Sequence, residues 1–324
     1  MNQAIDERAP IEHRANTRQA CSTAGAPRRG GRWLLALLGP WLMAEATQAL
    51  PLPTGDLERS CRAQHTRART RPSKDPTTVD FSNLRDGDTV RTPFVVVFAL
   101  RGMGVVPAGQ ELAGTGHHHL LIDTPLPRNV GATIPFSDTH KHFGKGQTFA
   151  VIDLPPGPHT LRLLFADHAH RPYYVYSPEI RVRVAARRSA EPLRIDAKRF
   201  EASCAAWYQD EVSRPPPPGD GLGLANLRDG EAVTSPFSLH FGVAGYGVSA
   251  AGPALDRTGH FILQVLQDDK PLQTQDLANG ATQSTLSLPN GRYQLRLRFV
   301  DGGNRRDLMP PCEHELPVTG QKRM

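Results

Sequence analysis

From residue 78 onward the apolar positions fall in short runs rather than at helical spacing. PFVVVFAL (93–100), HHLLID (118–123), TFAVIDL (148–154), HTLRLLFAD (159–167) and EIRVRV (179–184) are rich in β-branched and apolar residues, several with strict alternation. Such runs, bounded by Pro, Gly, Asn and Asp, predict strands. LPPGPH (154–159) and LPNGRY (288–293) read as turns entering antiparallel strands. No segment beyond residue 49 carries a convincing amphipathic helical period. In a strand, alternate side chains share a face. If Leu120 and Ile122 point into a core, His118 points with them, while His117 and His119 lie on the opposite face with Leu121.

The pattern occurs twice. NLRDGDTVRTPF (83–94) and NLRDGEAVTSPF (226–237) are identical at eight of twelve positions. Further along, RGMGVVPAG (101–109) lies over AGYGVSAAG (244–252), TGHHHLLI (115–122) over TGHFILQV (258–265), and DLPPGPHTLRLLFAD (153–167) over SLPNGRYQLRLRFVD (287–301). A duplicated unit of about a hundred residues, with about seven short strands each, predicts an all-β protein of two tandem immunoglobulin-like antiparallel β-sandwich units. The expected organisation is an export signal at 1–49, a basic flexible arm at 50–77, a histidine-rich unit at 78–186, a linker with the Pro run SRPPPPGDGLG at 187–225, and a degenerate second unit at 226–319.

Composition agrees with a loop-rich β protein: 29 Gly and 29 Pro in 324 residues. The formal charge of +6 is spread over the chain, and residues 1–49 contribute six Arg against four acids. That excess is too mild to argue for a nucleic-acid partner. Arg28, Arg29 and Arg32 precede the apolar run Trp33–Ala44 and the small-residue site Thr47-Gln48-Ala49, the order of an export signal. The run is short of the roughly 20 residues a spanning helix needs, and no later stretch is long enough. The expected location is therefore the periplasm or cell envelope, where disulfides form. Of Cys61, Cys204 and Cys312, a Cys204–Cys312 bridge would staple the ends of the second unit and leave Cys61 free; spacing alone leaves the pairing open.

The first unit holds three His-x-His pairs: His117/His119, His140/His142 and His168/His170. On extended chain each pair projects two imidazoles to one side. Neutral imidazole is the commonest side-chain ligand for zinc, copper and nickel, and a site needs three or four converging ligands. Asp123 and Asp167 are placed to accept the second ring N–H of such ligands. Isolated pairs also suit polar turns, but the second unit keeps the strands and loses most of the imidazoles. Phe261 and Ile262 stand for His118 and His119, and Gly302 and Asn304 for His168 and His170. The segment bearing His140 and His142 finds no counterpart, and only His117 has a match, His260, which reads as a structural strand-start residue and ranks His117 below the others as a ligand. The fold does not require these histidines, so they are candidates for divalent copper or zinc.

The combination GMGVVPAG … TGHHHLLID … HKHFGKGQT … LPPGPHTLRLLFADHAHRP resembles the bacterial DUF4399 family over residues 78–184, with a degenerate second copy at about 221–319. The resemblance implies an exported or envelope-associated β domain with this histidine set, and no particular activity.

Elsewhere the chain lacks a Gly-x-Ser-x-Gly elbow, a phosphate-binding P-loop and a His-Glu-x-x-His helix. Three readings stand: a metal-binding module, a metal-free partner- or glycan-binding envelope module using Tyr173, Tyr174 and Tyr176, and a metal-dependent enzyme. No catalytic residue is assigned, and the partner is an unidentified protein or envelope ligand.

Overall fold

The computed structural model describes residues 55–320 except 130, 190, 253 and 254, so the segment read as an export signal lies outside the described residues. The first unit contains β1 (Thr78–Phe81), β2 (Thr89–Thr92), β3 (Phe94–Arg101), β4 (Gly104–Val105), β5 (Thr115–Ile122), β6 (His140–Phe143), β7 (Phe149–Ile152), β8 (Gly157–Ala166), β9 (Pro172–Tyr176) and β10 (Ile180–Arg187). One sheet has the order β1-β3-β7. The other runs β2-β10-β8-β5-β4, with β6 added beside β5 and β9 beside β8.

The second unit repeats this plan. Its strands are β11 (Gly221–Leu224), β12 (Val233–Thr234), β13 (Phe237–Ala244), β14 (Gly247–Val248), β15 (Thr258–Gln267), β16 (Lys270–Asp276), β17 (Gln283–Leu286), β18 (Gly291–Asp301) and β19 (Cys312–Thr319). They form sheets β11-β13-β17 and β12-β19-β18-β15-β14, with β16 on β15. The protein is thus all-β in its two repeated sandwich units.

One hydrophobic core runs through both units, from Phe94, Phe98, Leu120, Leu163 and Phe165 to Phe237, Phe241, Phe261 and Phe299. The units meet by a reciprocal backbone exchange. Val105 N–H donates to the Gly280 carbonyl (2.8 Å), and Val248 N–H donates to the Gly146 carbonyl (2.7 Å). Gly146 and Gly280 both hold positive φ, and a Cβ on either would strike the facing backbone oxygen.

Two segments expected to lack regular structure are helical. Residues 56–70, read as part of a basic flexible arm, form α1 (Asp56–Thr70), and residues 200–212, read as linker, form α2 (Phe200–Val212). They are joined by a Cys61–Cys204 disulfide, which replaces the expected Cys204–Cys312 pairing. The buried face of α1 is Cys61, Arg62, Thr66, Arg69 and Thr70, largely polar, which is why hydrophobic periodicity does not show it. Arg62 and Arg69 are buried head and stem, their guanidiniums set against carboxylates and aromatic rings. Arg62 pairs with Glu211 and lies 5.5 Å over the Trp207 ring; Arg69 pairs with Glu231 at 3.0 Å and lies 5.2 Å over Tyr208.

A second ion-pair group ties α2 to the first unit. Asp210, nearly fully buried, accepts from Arg188 and Arg214. Removing one partner of a buried pair strands the other charge. Asp210→Ala is therefore expected to cost about 3–5 kcal/mol in urea unfolding. A loss below about 1 kcal/mol would show that water compensates the arginines.

Candidate metal centre

All eight residues of β5 are buried on both faces. Leu120 and Ile122 enter the main core, and His118 goes with them, its ring 4.8 Å from Phe98 and 5.1 Å from Phe165. On the other face, Leu121 joins a satellite cluster with Ile134, Leu164 and Ala166. His117 and His119 share that outer face yet have no exposed surface.

Three imidazoles meet there, those of His117, His142 and His170, with ring nitrogens all within 4.8 Å of one another, and His119 adjoins them through His117. β6 pairs antiparallel with β5 so that His142 lies opposite His119. His170 arrives from the turn between β8 and β9. The Nε2 atoms of His117 and His119 are 3.1 Å apart, as are those of His142 and His170. Ring centroids lie at 4.7 Å (His142–His170), 4.8 Å (His117–His142), 4.9 Å (His117–His170) and 5.0 Å (His119–His142).

Local backbone chemistry makes room for this cluster. Gly144 leaves room for the His142 ring, which a Cβ at that position would displace. His170 is left-handed (φ 63°), and its N–H donates to the Asp167 carbonyl (2.9 Å). The Asp167 carboxylate fixes the same turn by accepting from Ala169 and Arg171 N–H at 2.9 and 2.8 Å. Asp167 therefore positions His170 through the backbone instead of accepting a ring N–H. Asp123, the other expected partner, accepts from His159 (2.7 Å) and Thr160 N–H, away from the cluster.

His140 and His168, expected to join the ligand set, do not converge with it. His140 Nδ1 is engaged with Ser137 and Thr139 at 3.1 Å, and His168 Nε2 lies 3.9 Å from Glu111. The reason is strand parity: His140 and His142 share a face, but Leu121, not a histidine, is opposite His140. Within the turn, only the left-handed residue aims inward.

A seventeen-residue connection, residues 123–139, covers the site. Ile134 N–H donates to the His170 carbonyl (2.9 Å), and the exposed Phe136 ring lies 4.8 Å from His142 and 5.2 Å from His170. Phe136 is the site residue that sequence reasoning missed; an isolated aromatic in a loop carries no periodic signal.

Burial, then the neighbouring imidazoles, pushes His117 down to about 3 and His119 to about 2. His142 is also lowered, first by burial and then by His170. These rings are held neutral at pH 7, the form that ligates metal. With metal–nitrogen bonds of about 2.0–2.1 Å, ligand nitrogens stand about 2.9 Å apart in a square and about 3.4 Å apart in a tetrahedron. The 3.1 Å separation within each pair falls between these values, His117, His142 and His170 all lie within 4.8 Å of one another, and an all-imidazole set suits zinc, copper or nickel.

The second unit shows what replaces the cluster. His260 stands for His117, and Ile262, standing for His119, pairs with Asp276 on β16. Arg305 adopts the left-handed conformation of His170 and likewise bonds the Asp301 carbonyl through its N–H. Asp276 lies 3.0 Å from His260 Nε2 and pairs with Arg305. Asp276 is thus the counterpart of His142 that sequence alignment did not find, and Arg305 rather than Asn304 is that of His170. A fixed guanidinium and its carboxylate occupy the place of the imidazoles.

Tyr173, Tyr174 and Tyr176 lie on β9 at the sheet edge, and the Tyr173 hydroxyl donates to the Thr115 carbonyl (3.0 Å). Among the described residues, no helix is long and apolar enough to cross a membrane.

Fold and cluster define a class: a tandem β-sandwich protein with a buried histidine cluster in its first unit. The chain belongs to the DUF4399 family, whose model, "Domain of unknown function (DUF4399)", matches residues 96–185 and again 239–319. No curated protein matches. Among solved structures, the fibronectin(III)-like modules of Clostridium thermocellum CbhA share 10% identity over 74% of this chain and 94% of theirs, with a TM-score of 0.22. A two-domain fibronectin type-III segment of chicken tenascin shares 9% over 75% and 99%, with a TM-score of 0.18. Dimeric latent PorU from Porphyromonas gingivalis shares 13% over 78% and 21%, with a TM-score of 0.25.

Proposed function

We propose that the first unit binds one divalent copper or zinc ion through His117, His142 and His170, with His119 adjoining them beside His117. The observation that carries this reading is the convergence of His117, His142 and His170, whose ring nitrogens all lie within 4.8 Å of one another, with the His119 Nε2 3.1 Å from that of His117. The two Nε2···Nε2 contacts leave the buried Nδ1 atoms of His117 and His119 without a protein partner. A cation at the centre uses the Nε2 lone pairs together. Asp167, whose charge is felt at His117, offsets part of the ion's charge. In the second unit the Arg305–Asp276 pair puts a cation in the equivalent place.

The reading includes export. The Cys61–Cys204 disulfide suits an oxidising compartment, and amino-terminal sequencing of the mature protein would reveal cleavage near residue 49.

Metal content of the tag-free protein tests the site. About one ion per chain is expected, lost in His142→Ala/His170→Ala and retained in His140→Ala/His168→Ala. Equal metal in both double variants, or none in the parent after titration with copper and zinc, would overturn the assignment.

A further inference from the structure

A second group of metal-ligating side chains lies far from the histidine cluster in sequence, between α1 and α2. Cys61 and His65 are four residues apart on α1 and so share one face. Cys204 approaches from α2. The Sγ atoms and a His65 ring nitrogen all lie within 4.8 Å of one another, with His65 Nε2 3.8 Å from Cys204 Sγ. The imidazole is held flat on Tyr208, its ring centroid 3.9 Å away and the planes inclined by 8°. His65 and Tyr208 line a cleft of about 550 Å³, so the imidazole side of the group is open to small solutes.

We infer that this disulfide is the oxidised form of a Cys₂His site for zinc, formed by Cys61, His65 and Cys204 after reduction. An external dithiol reduces the bridge: its two sulfurs become a disulfide, and its two protons pass to Cys61 and Cys204. Binding of Zn²⁺ then forms two zinc–thiolate bonds and one zinc–imidazole bond and releases both thiol protons. The fourth position faces the cleft and takes water, as in zinc sites with three protein ligands.

Opening the bridge does not free α1, because other bonds hold it. Arg62 remains paired with Glu211 and Arg69 with Glu231; Arg69 also donates to the Asn226 carbonyl (3.1 Å), and Asn226 donates back to the Arg69 carbonyl (3.0 Å). The three donors stay near one another without a sulfur–sulfur bond. The site is independent of the histidine cluster and requires the opposite redox condition from the disulfide.

Cobalt(II) is the probe, since thiolate ligation gives a charge-transfer band that imidazole ligation does not. The full chain carrying His142→Ala/His170→Ala, which silences the first site, is titrated before and after reduction by a dithiol that is then removed without air. The reduced protein is expected to bind one Co²⁺ with the thiolate band, displaced by Zn²⁺, while the oxidised protein shows no band. His65→Ala should weaken binding at least about tenfold, and Cys61→Ser/Cys204→Ser should abolish the band. Absence of the band in the reduced protein, unchanged affinity in His65→Ala, or loss of the β-sheet circular dichroism on reduction would each overturn the inference.

Discussion

Copper(II) or zinc(II) at a thousandfold excess over Kd is expected to stabilise the protein by about 4 kcal/mol, the linkage energy for a ligand that binds only the folded state. For domains of this size that is roughly 8–16 °C in Tm, at about 2–4 °C per kcal/mol. Only the folded chain offers this site, because its rings come from β5, β6 and the turn before β9. His117→Ala/His170→Ala should abolish the shift. Gly144→Ala should reduce it, because the added methyl displaces the His142 ring. Differential scanning fluorimetry with and without metal, followed by a chelator, reads all three. A parent protein whose Tm ignores both ions, or a variant that keeps the whole shift, would contradict the site.

Acid should destabilise the metal-free protein well above the range where carboxylates titrate. Burial lowers His118 to about 3 and His240 to about 4, and His117 and His119 are lowered similarly. In the unfolded chain each returns to its ordinary value near 6.5. Stability from these groups is complete above pH 6.5. It is lost as pH falls below 6.5 toward the folded values, because only the unfolded chain then takes up the protons. Each group contributes about 1.4 kcal/mol per pH unit in that window, so His118 and His240 alone give about 3 kcal/mol between pH 6 and 5. Among the histidines His159 acts in reverse: burial opposes its protonation, but its bonds to Asp123 and the Pro155 carbonyl outweigh this and raise it, and burial raises Asp80 and Asp88 in the same sense. Urea unfolding at pH 7 and pH 5 measures the difference. His118→Phe, which installs the residue of the second unit's Phe261, should shrink it. Equal stability at the two pH values would show that these rings take up protons in the folded state.

The residues at the centre of both predictions were only partly legible in the chain. Strand parity placed His118 in the core and His117 with His119 outside it, because a two-residue period needs no tertiary information. The absence of most imidazoles from the second unit marked the first unit as special by the same local comparison. His140 and His168 read as equals of His142 and His170, since a His-x-His spacing says nothing of what lies opposite. The register of β6 on β5 and the left-handed turn at His170 made that choice. The helices were hidden for a different reason. The buried face of α1 is largely polar, and its Arg62 and Arg69 lie against Glu211, Glu231, Trp207 and Tyr208, residues distant in sequence that no local pattern reveals.

The sequence by itself determined the two units, their strands and turns, and the concentration of imidazoles in one of them, since each follows from short-range alternation or from comparing the chain with its own duplicate. Only the tertiary structure decided that His117, His142 and His170 meet with His119 beside them, that Phe136 packs on His142 and His170, that Asp167 acts through a turn, and that Cys61 joins Cys204. Those outcomes depend on which side chains long-range strand pairing and helix packing bring within a few ångströms, and that distance is a property of the folded chain.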